Sequence, residues 1–411
     1  MCVDRINKKN KKPTGLDEDV NTKDNKKSAS LPEVSHSEAN SDELGEQPID
    51  LHSETTFALG LLLLLQQNAH DSIVFSPLSI ALGLSLLFVA ADRETKDQIR
   101  KALGVGSDYY SRILKSIVKA NREKRTTVHM ANAVFVQSKF PIKKSYLNEI
   151  KKSFKSTAVS VDFKEGKTAT ETINKFIDVN TGGNIRKMVT EDTINPELVA
   201  VLTNALWFKA HWWKKFHKSQ TTKDYFFNSA TSKREIDFLF DERETRAYTE
   251  NELFQVLQLP YKDKHFALTI FLPKTRYGLK DAMKNLNAKT IQHLMTTASN
   301  ELGNIKISKF EIKSDLNLKD VLQGMGITKV FEHDADLGKM TNLRPDNKIY
   351  LSKVSHKSRI QINEDGTCAA AATTLECFAM CGGECFNFVA DHPFLFVITH
   401  NKHILFIGTF H

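Results

Sequence analysis

The segment "EDGTCAAAATTLECFAM" (residues 364–380) contains four consecutive alanines behind a Gly-Thr pair. Alanine runs favour helices, but the neighbouring segments read as strands. Residues 354–363 alternate between apolar and polar side chains, and "HPFLFVITHNKHILFIGTF" (392–410) predicts two apolar strands around a polar turn. The alanine run therefore connects strands, and a connection of about 27 residues is long enough to indicate a functional loop.

Composition divides the chain of 411 residues into a tail and a body. Residues 1–50 contain no aromatic residue except histidine and carry eight Lys plus Arg against eleven Asp plus Glu, which predicts a disordered polar tail. Residues 51–411 have enough apolar content to bury a large core. Because the whole chain has a net charge of +8, this body carries +11, and its excess of cations favours a polyanionic partner.

No apolar stretch reaches the length of a membrane span. The N-terminus "MCVDRINKKNKK" lacks the apolar region of a secretory signal, and no Asn-x-Ser/Thr acceptor occurs. These observations favour a cytoplasmic location, and an extracellular location stays open. We expect neither a membrane nor a nucleic acid as a partner.

The five cysteines, Cys2, Cys368, Cys377, Cys381 and Cys385, have no spacing typical of a zinc site, so we predict free thiols, no metal and no cofactor. No G-x-S-x-G, Gly-rich phosphate loop or H-E-x-x-H motif is found. We therefore predict that the protein is not an enzyme. A cysteine hydrolase using Cys377 or Cys381 is a remote alternative, because a long loop lacks rigid support for a nucleophile.

Strand and helix patterns are mixed without a regular βαβ alternation, which predicts an α+β fold with antiparallel or mixed sheets. "SIVFSPLSI" (72–80) predicts a short strand followed by a helix with Ser76 as its cap and Pro77 in its first turn. "NIKISKFEIKSD" (304–315) is predicted to form one alternating strand.

Several segments together resemble the serpins, in the same order along the chain. They are "SIVFSPLSIALGLSLLFVAA", "LTNALWFKAHWWKKF", "LQLPYKDKHFALTIFLPK", "ISKFEIKSDLNLKDVLQGMGITKVF", "SHKSRIQINEDGTCAAAATT" and "ADHPFLFVITHNKHILFIGTF". The resemblance covers residues 51–411 and implies a single domain with three β-sheets, about nine helices and an exposed reactive loop near the C-terminus. It also implies suicide inhibition, in which the cleaved loop inserts into the central sheet and traps the protease as a covalent acyl-enzyme.

The alanine run fits such an insertion, because a strand that slides between two others needs small side chains and no proline. The residues of this hinge are Glu364, Gly366, Thr367, Cys368, Ala369, Ala370, Ala371, Ala372 and Thr373. With a period of two, Thr367, Thr373 and the odd-numbered residues between them would face the core, whereas Glu376 would face outward. Cys368 departs from the family, whose inhibitory members usually have an acidic residue there.

Counting fourteen residues from Gly366, as the family implies, places the reactive bond at Met380–Cys381, with Phe378 and Cys381 as alternative specificity residues. Residues 360–401 contain no Lys or Arg, so a trypsin-like pocket has no cation to bind. We expect chymotrypsin-like, cathepsin G-like or elastase-like targets, and a cysteine protease trapped as a thioester is a further candidate. The alternative function is a non-inhibitory serpin that acts as a carrier or chaperone.

The resemblance assigns Ser76, Ser79, Asn204 and His356 to a polar cluster where the central sheet opens, and pairs Glu364 with Lys309 beside Trp212. We expect pH sensitivity from His356 near the ordinary titration range of histidine. Glycosaminoglycan-binding residues of some members match the basic stretch 115–125, which contains Lys115, Lys119, Arg122, Lys124 and Arg125. A solvated charged face is the alternative for this stretch. The protein is expected to be a monomer.

Overall fold

The computed structural model describes residues 50–67, 71–122, 126–342, 348–367 and 385–411. These residues form nine α-helices: α1 Leu51–Leu65, α2 Pro77–Ala90, α3 Arg93–Leu103, α4 Ser107–Arg122, α5 Lys144–Phe154, α6 Gly166–Asn180, α7 Leu279–Lys284, α8 Ala288–Thr297 and α9 Lys319–Gly324. The strands are β1 Ile73–Phe75, β2 Thr126–Gln137, β3 Thr157–Val161, β4 Ala200–His211, β5 Thr222–Phe227, β6 Lys233–Glu250, β7 Phe254–Pro260, β8 Phe266–Pro273, β9 Ser299–Ser308, β10 Phe310–Asn317, β11 Lys353–Asn363, β12 Gly366–Thr367, β13 Phe386–Ala390, β14 Phe394–His400 and β15 His403–Phe410.

A six-stranded sheet has the strand order β10-β11-β12-β4-β2-β3. At its centre β4 and β11 run parallel, and at one end the two residues of β12 lie between them. The sequence of β4, "AVLTNALWFKAH", is apolar almost throughout because both faces of the strand are covered. One face of β4 packs on the main core. The other face carries Trp207, which belongs with Ile173 of α6 to a second apolar cluster.

A nine-stranded sheet contains the path β1-β15-β14-β8-β7-β6-β9-β13, with β5 added alongside β6. The long strand β6 pairs with β9, β5 and β7 along different parts of its length. Where the resemblance implied three sheets, the described residues are therefore hydrogen-bonded as two, because β6 joins strands that would otherwise form separate sheets. The α+β class and the nine helices are as predicted.

The helix α2 lies in the core, and twelve of its fourteen residues are buried. It begins as predicted, because the side chain of Ser76 accepts a hydrogen bond from the backbone N–H of Ser79, and Pro77 occupies the first turn. None of the described helices combines the length and the apolar character that crossing a membrane requires.

The prediction of one strand over 304–315 is wrong. The chain leaves the nine-stranded sheet at Ser308 and joins the six-stranded sheet at Phe310, so β9 and β10 are separate strands. Lys309 makes the transition, and its backbone N–H donates to the carbonyl oxygen of Asp237 at 2.9 Å. The alternation changes phase here, because the buried apolar residues are Ile305 and Ile307 in β9 but Phe310 and Ile312 in β10. The two successive polar residues at 308–309 are the sequence signal that the prediction overlooked. The tail of residues 1–49 lies outside the described residues, and the boundary after residue 50 stays a prediction.

Candidate functional site

The hinge joins the six-stranded sheet through Gly366 and Thr367, the two residues of β12. Gly366 lies opposite His211 of β4 and Asn363 of β11, and Thr367 lies opposite Ala210 and Ile362. Gly366 has φ of +141°, and a Cβ atom there would lie 2.2 Å from the carbonyl oxygen of Ala210. Glycine is required at this position because neither the backbone angle nor the space accommodates a side chain.

Thr367 is fully buried under the sheet. Its hydroxyl oxygen lies 2.7 Å from that of Tyr261, so the two groups are hydrogen-bonded. The Tyr261 ring in turn stacks on Trp212, with 4.5 Å between ring centroids. The inward orientation of Thr367 is the one that the period-two pattern predicts.

The turn that contains Glu364, the first residue of the hinge, is held by ion pairs. Lys309 Nζ lies 3.0 Å from Glu364 Oε1, which also accepts a hydrogen bond from the Thr221 hydroxyl at 2.9 Å. Burial raises the pKa of Glu364, but hydrogen bonds from the backbone, Lys309 and Thr221 outweigh it and leave the pKa below its usual value. The Trp212 indole donates to the carbonyl oxygen of Asn363 at 2.8 Å. The structure thus brings together Glu364, Lys309 and Trp212.

A second ion pair at this turn was not predicted. Asp365 Oδ1 lies 2.6 Å from Lys215 Nζ, and Asp365 Oδ2 lies 3.6 Å from Lys218 Nζ. The backbone carbonyl of Asp365 also accepts from the Trp212 N–H at 3.0 Å. The only sequence signal for this contact is the cluster of lysines after Trp213, which does not by itself identify a carboxylate partner.

The polar cluster lies under the middle of the sheet, between α2 and the strands. Ser79 Oγ donates to Asn132 Oδ1 at 3.0 Å, and Asn204 Nδ2 donates to the same oxygen at 3.3 Å. Asn204 Nδ2 also lies 3.4 Å from the carbonyl oxygen of Ser79. Asn132 was missed in the sequence, although a buried asparagine within the apolar run of β2 is a signal for such a network.

His356 lies opposite Asn204, at the line where β4 and β11 meet directly. It is completely buried, and its Nε2 accepts a hydrogen bond from the backbone N–H of Ser76 at 3.1 Å. Burial lowers the pKa of His356 to about 3. The expectation that it titrates near its ordinary range is therefore wrong for the closed sheet, because desolvation disfavours the charged ring.

Three basic residues of α4 lie on one exposed side of the helix, namely Lys115, Lys119 and Arg122. Their spacing of four and three residues aligns them along one face. Arg112, half-exposed one turn earlier, extends this row and was not predicted. Several predicted site residues lie outside the described residues: Lys124 and Arg125, Cys368, Ala369, Ala370, Ala371, Ala372 and Thr373 of the hinge, and the predicted reactive residues Phe378, Met380 and Cys381.

Within the described ranges, no three His, Cys, Asp or Glu side chains are grouped closely enough to hold a metal ion. What the site can do is mechanical. A two-residue strand lies between β4 and β11, ion pairs hold the turn before it, and a buried polar cluster lies below the line where β4 and β11 meet.

Comparisons with known proteins agree with this arrangement. The family model for serpins, described as serine protease inhibitors, matches residues 52–411. Human serpin I2 is 32% identical over 366 residues, which cover 86% of this chain and 89% of that protein. The leukocyte elastase inhibitor of Xenopus laevis is 30% identical over 359 residues, which cover 84% of this chain and 94% of that protein.

Two solved structures are similar over most of the chain. Serpin48 of the insect Tenebrio molitor, described as highly specific, gives a TM-score of 0.80 at 26% identity, covering 88% of this chain and 97% of that one. Native protease nexin-1, solved with heparin, gives a TM-score of 0.78 at 27% identity, and the match covers 89% of this chain and 99% of that one. These relatives support protease inhibition as the activity. The chain belongs to the serpin family.

Proposed function

We propose that this chain is an inhibitory serpin that is cleaved at Met380–Cys381, inserts the cleaved loop between β4 and β11, and retains the protease as an acyl-enzyme. The protease serine would attack the Met380 carbonyl carbon and release the Cys381 amine. Insertion would follow before water hydrolyses the ester. The observation that carries this proposal is the position of Gly366 and Thr367, already paired with both strands.

The register of β12 defines where each later residue would lie. Thr367 is opposite Ala210 and Ile362, and the pairing with both strands is antiparallel. Each further residue would therefore lie one position closer to the N-termini of β4 and β11. Thr373, six residues later, would lie between Asn204 and His356, which now face each other directly. Insertion would thus separate the two strands at the polar cluster, and would offer a hydroxyl to it.

The same register gives a partner to Glu376, the only charged residue between Gly366 and Gly383. It would lie opposite Val201 and Lys353, on the outward face. Lys353 is half-buried, and burial lowers its pKa. It makes no salt bridge within the described parts of the chain. We infer that the Glu376–Lys353 ion pair forms on insertion and favours the inserted state.

Met380, thirteen residues after Thr367, would lie opposite Glu197 and Ile349, beyond the ends of both strands. A protease attached there would have been carried the length of the sheet. Specificity follows from Met380, with Phe378 as the alternative, since both side chains suit an apolar pocket. Without Lys or Arg in residues 360–401, no trypsin-like specificity is expected.

Two neighbouring substitutions test the mechanism. Thr367→Glu would require a carboxylate to be buried under the sheet. Cys368→Glu would, after insertion, place the same side chain at the next position, opposite the half-exposed Gln361. With chymotrypsin, the unmodified protein and Cys368→Glu should form a complex that survives SDS, and Thr367→Glu should be cleaved without one. Clean cleavage of all three would indicate the non-inhibitory alternative. A stable complex with trypsin would exclude Met380 as the specificity residue.

The exposed row on α4 supports a second partner, an anionic glycosaminoglycan. Lys115, Lys119 and Arg122 present three cations along one helical face. The double substitution Lys115→Glu with Lys119→Glu should lower the salt concentration that elutes the protein from heparin. The matched control is Lys167→Glu with Lys175→Glu on α6, where both lysines are also exposed. Equal shifts in the two variants would mean that net charge alone explains retention.

A further inference from the structure

An exposed tryptophan lies beside the point where the hinge joins the sheet. Trp213 is 58% exposed, whereas Trp207 and Trp212 are 7% and 1% exposed. Single exposed apolar residues are common on proteins, so this exposure assigns nothing by itself. The neighbours of Trp213 make it more specific, because they supply positive charge at a fixed distance from the indole.

The turn between β7 and β8 supplies that charge. The backbone N–H of Trp213 donates to the Pro260 carbonyl at 2.9 Å, and the N–H of Lys262 donates to the His211 carbonyl at 2.8 Å. Trp212 and Tyr261 form an antiparallel β-bridge with each other and are buried, whereas the next residues, Trp213 and Lys262, are exposed. The two exposed side chains therefore share the outward face.

Lys264, also exposed, completes the group, with its Nζ 4.6 Å from the centroid of the Trp213 ring. This distance is that of a cation–π contact. Trp213, Lys262 and Lys264 are referred to below as the Trp213 surface.

The carboxylates near this surface point inward. Asp263 is 4% exposed, and its Oδ1 lies 2.8 Å from His265 Nδ1. Glu364 and Asp365 are each 7% exposed and are paired with lysines at the hinge. The Trp213 surface therefore presents an indole and two ammonium groups, while the nearby acidic groups are buried.

We propose that the Trp213 surface binds an acidic peptide segment of a partner protein. A solvent-exposed tryptophan flanked by charges is the type of residue that anchors protein interfaces, and complementary charge would orient the partner. The three side chains come from one turn and one strand end, so they match a few residues of an extended peptide. The row on α4 lacks such an anchor, because the two aromatic residues of that helix, Tyr109 and Tyr110, are buried.

The location gives such binding access to the hinge. The backbone N–H of Trp212 donates to the Asp365 carbonyl at 3.0 Å, and that of Phe216 donates to the Glu364 carbonyl at 3.0 Å. The segment that holds the hinge from one side thus carries Trp213 on the other. A bound peptide would lie against the residues at which the reactive loop begins.

The test is a titration of the full chain at low salt with hexaglutamate that is blocked at both ends. Tryptophan fluorescence monitors the binding. We expect saturable binding that weakens about tenfold in Trp213→Ala and in Lys262→Glu with Lys264→Glu. Blocked hexalysine should not bind. Lys115→Glu with Lys119→Glu on α4 should bind the peptide as the unmodified protein does. Binding to the Trp213→Ala variant is followed by calorimetry, and thermal unfolding checks that each variant is folded.

Absence of saturable binding, or equal affinity in all variants, would overturn the proposal. Loss of binding only in the α4 variant would assign the peptide to the other surface and would also overturn it. A heparin-derived hexasaccharide is titrated in parallel. If binding of the hexasaccharide requires Trp213 and Lys262 while binding of the peptide does not, the surface recognises a sulfated glycan. The assignment to an acidic peptide would then be wrong. These readouts need no protease, so they are independent of inhibition.

Discussion

The hydroxyl groups of Thr367 and Tyr261 lie 2.7 Å apart, in the fully buried space below the point where β12 lies between β4 and β11. Thr367 is the last residue described before the reactive loop. Its side chain is therefore fixed within the sheet although the loop that follows would have to be exposed to bind a protease. This contact links the first residues of the proposed inserting strand to an aromatic residue that directly follows β7 of the neighbouring sheet.

A double-mutant cycle should detect this hydrogen bond. Thr367→Val and Tyr261→Phe each remove one hydroxyl and leave the other buried without its partner, so each should destabilise the protein by about 1 kcal/mol. The double variant should be less destabilised than the sum of the two, because no orphaned hydroxyl remains. The measurement is the free energy of unfolding in urea. Strict additivity would mean that the two hydroxyls do not interact.

Reversing the charge of Glu364 should open the sheet prematurely. In Glu364→Lys an ammonium group would replace a carboxylate that is 7% exposed and 3.0 Å from Lys309 Nζ. We expect polymers on mild warming, measured by light scattering and native gels. Adding Lys309→Glu should restore part of the stability, although Asp237, 3.7 Å from Lys309, would then repel the new carboxylate. A Glu364→Lys variant that stays monomeric like the unmodified protein would contradict the role of this pair.

The Glu376–Lys353 ion pair should stabilise only the cleaved form. Lys353→Glu would place two carboxylates together after insertion and should lower the melting temperature of the cleaved protein more than that of the intact one. Glu376→Lys in the same chain should reverse the loss. Since Lys353 is half-buried, we expect an effect of about 0.5–1 kcal/mol. Equal changes in intact and cleaved protein would show that the residues do not meet on insertion.

Acid should weaken the closed sheet through His356. Burial lowers the pKa of His356 to about 3 in the closed sheet, whereas a hydrated histidine titrates near 6.5. The open or unfolded state therefore binds a proton first as pH falls. The stabilisation by the neutral ring is fully present above about pH 6.5 and is lost progressively toward pH 3, by about 1.4 kcal/mol at pH 5.5.

Urea unfolding at pH 7.5 and pH 5.5 measures this effect. The difference in the free energy of unfolding between pH 7.5 and pH 5.5 should be smaller by about 1.4 kcal/mol in His356→Gln. His293→Gln, which changes an exposed histidine on α8, should leave it unchanged. If His356→Gln retains the full pH dependence, other groups are responsible for it.

Local patterns in the sequence were sufficient for much of this fold. Ser76 and Pro77 predicted the start of α2, because capping depends on residues within one turn. The alternation in β11 predicted which side chains face the core, since the period of a strand does not depend on its partners. The small residues after Gly366 indicated an inserting strand for a similar reason, because the steric requirement can be read residue by residue.

The tertiary structure decided what depends on distant parts of the chain. Asp365 gained Lys215 and Lys218 because two segments about 150 residues apart meet at the hinge. The strand predicted over 304–315 was divided because its two halves pair with strands of different sheets. The change of phase at Ser308-Lys309 signals a break, but it does not identify the partner strands. His356 has an ordinary side chain in the sequence, and its low pKa arises only from complete burial beneath the sheet. Trp213 and Lys264 form one surface because backbone hydrogen bonds join β4 to the turn after β7.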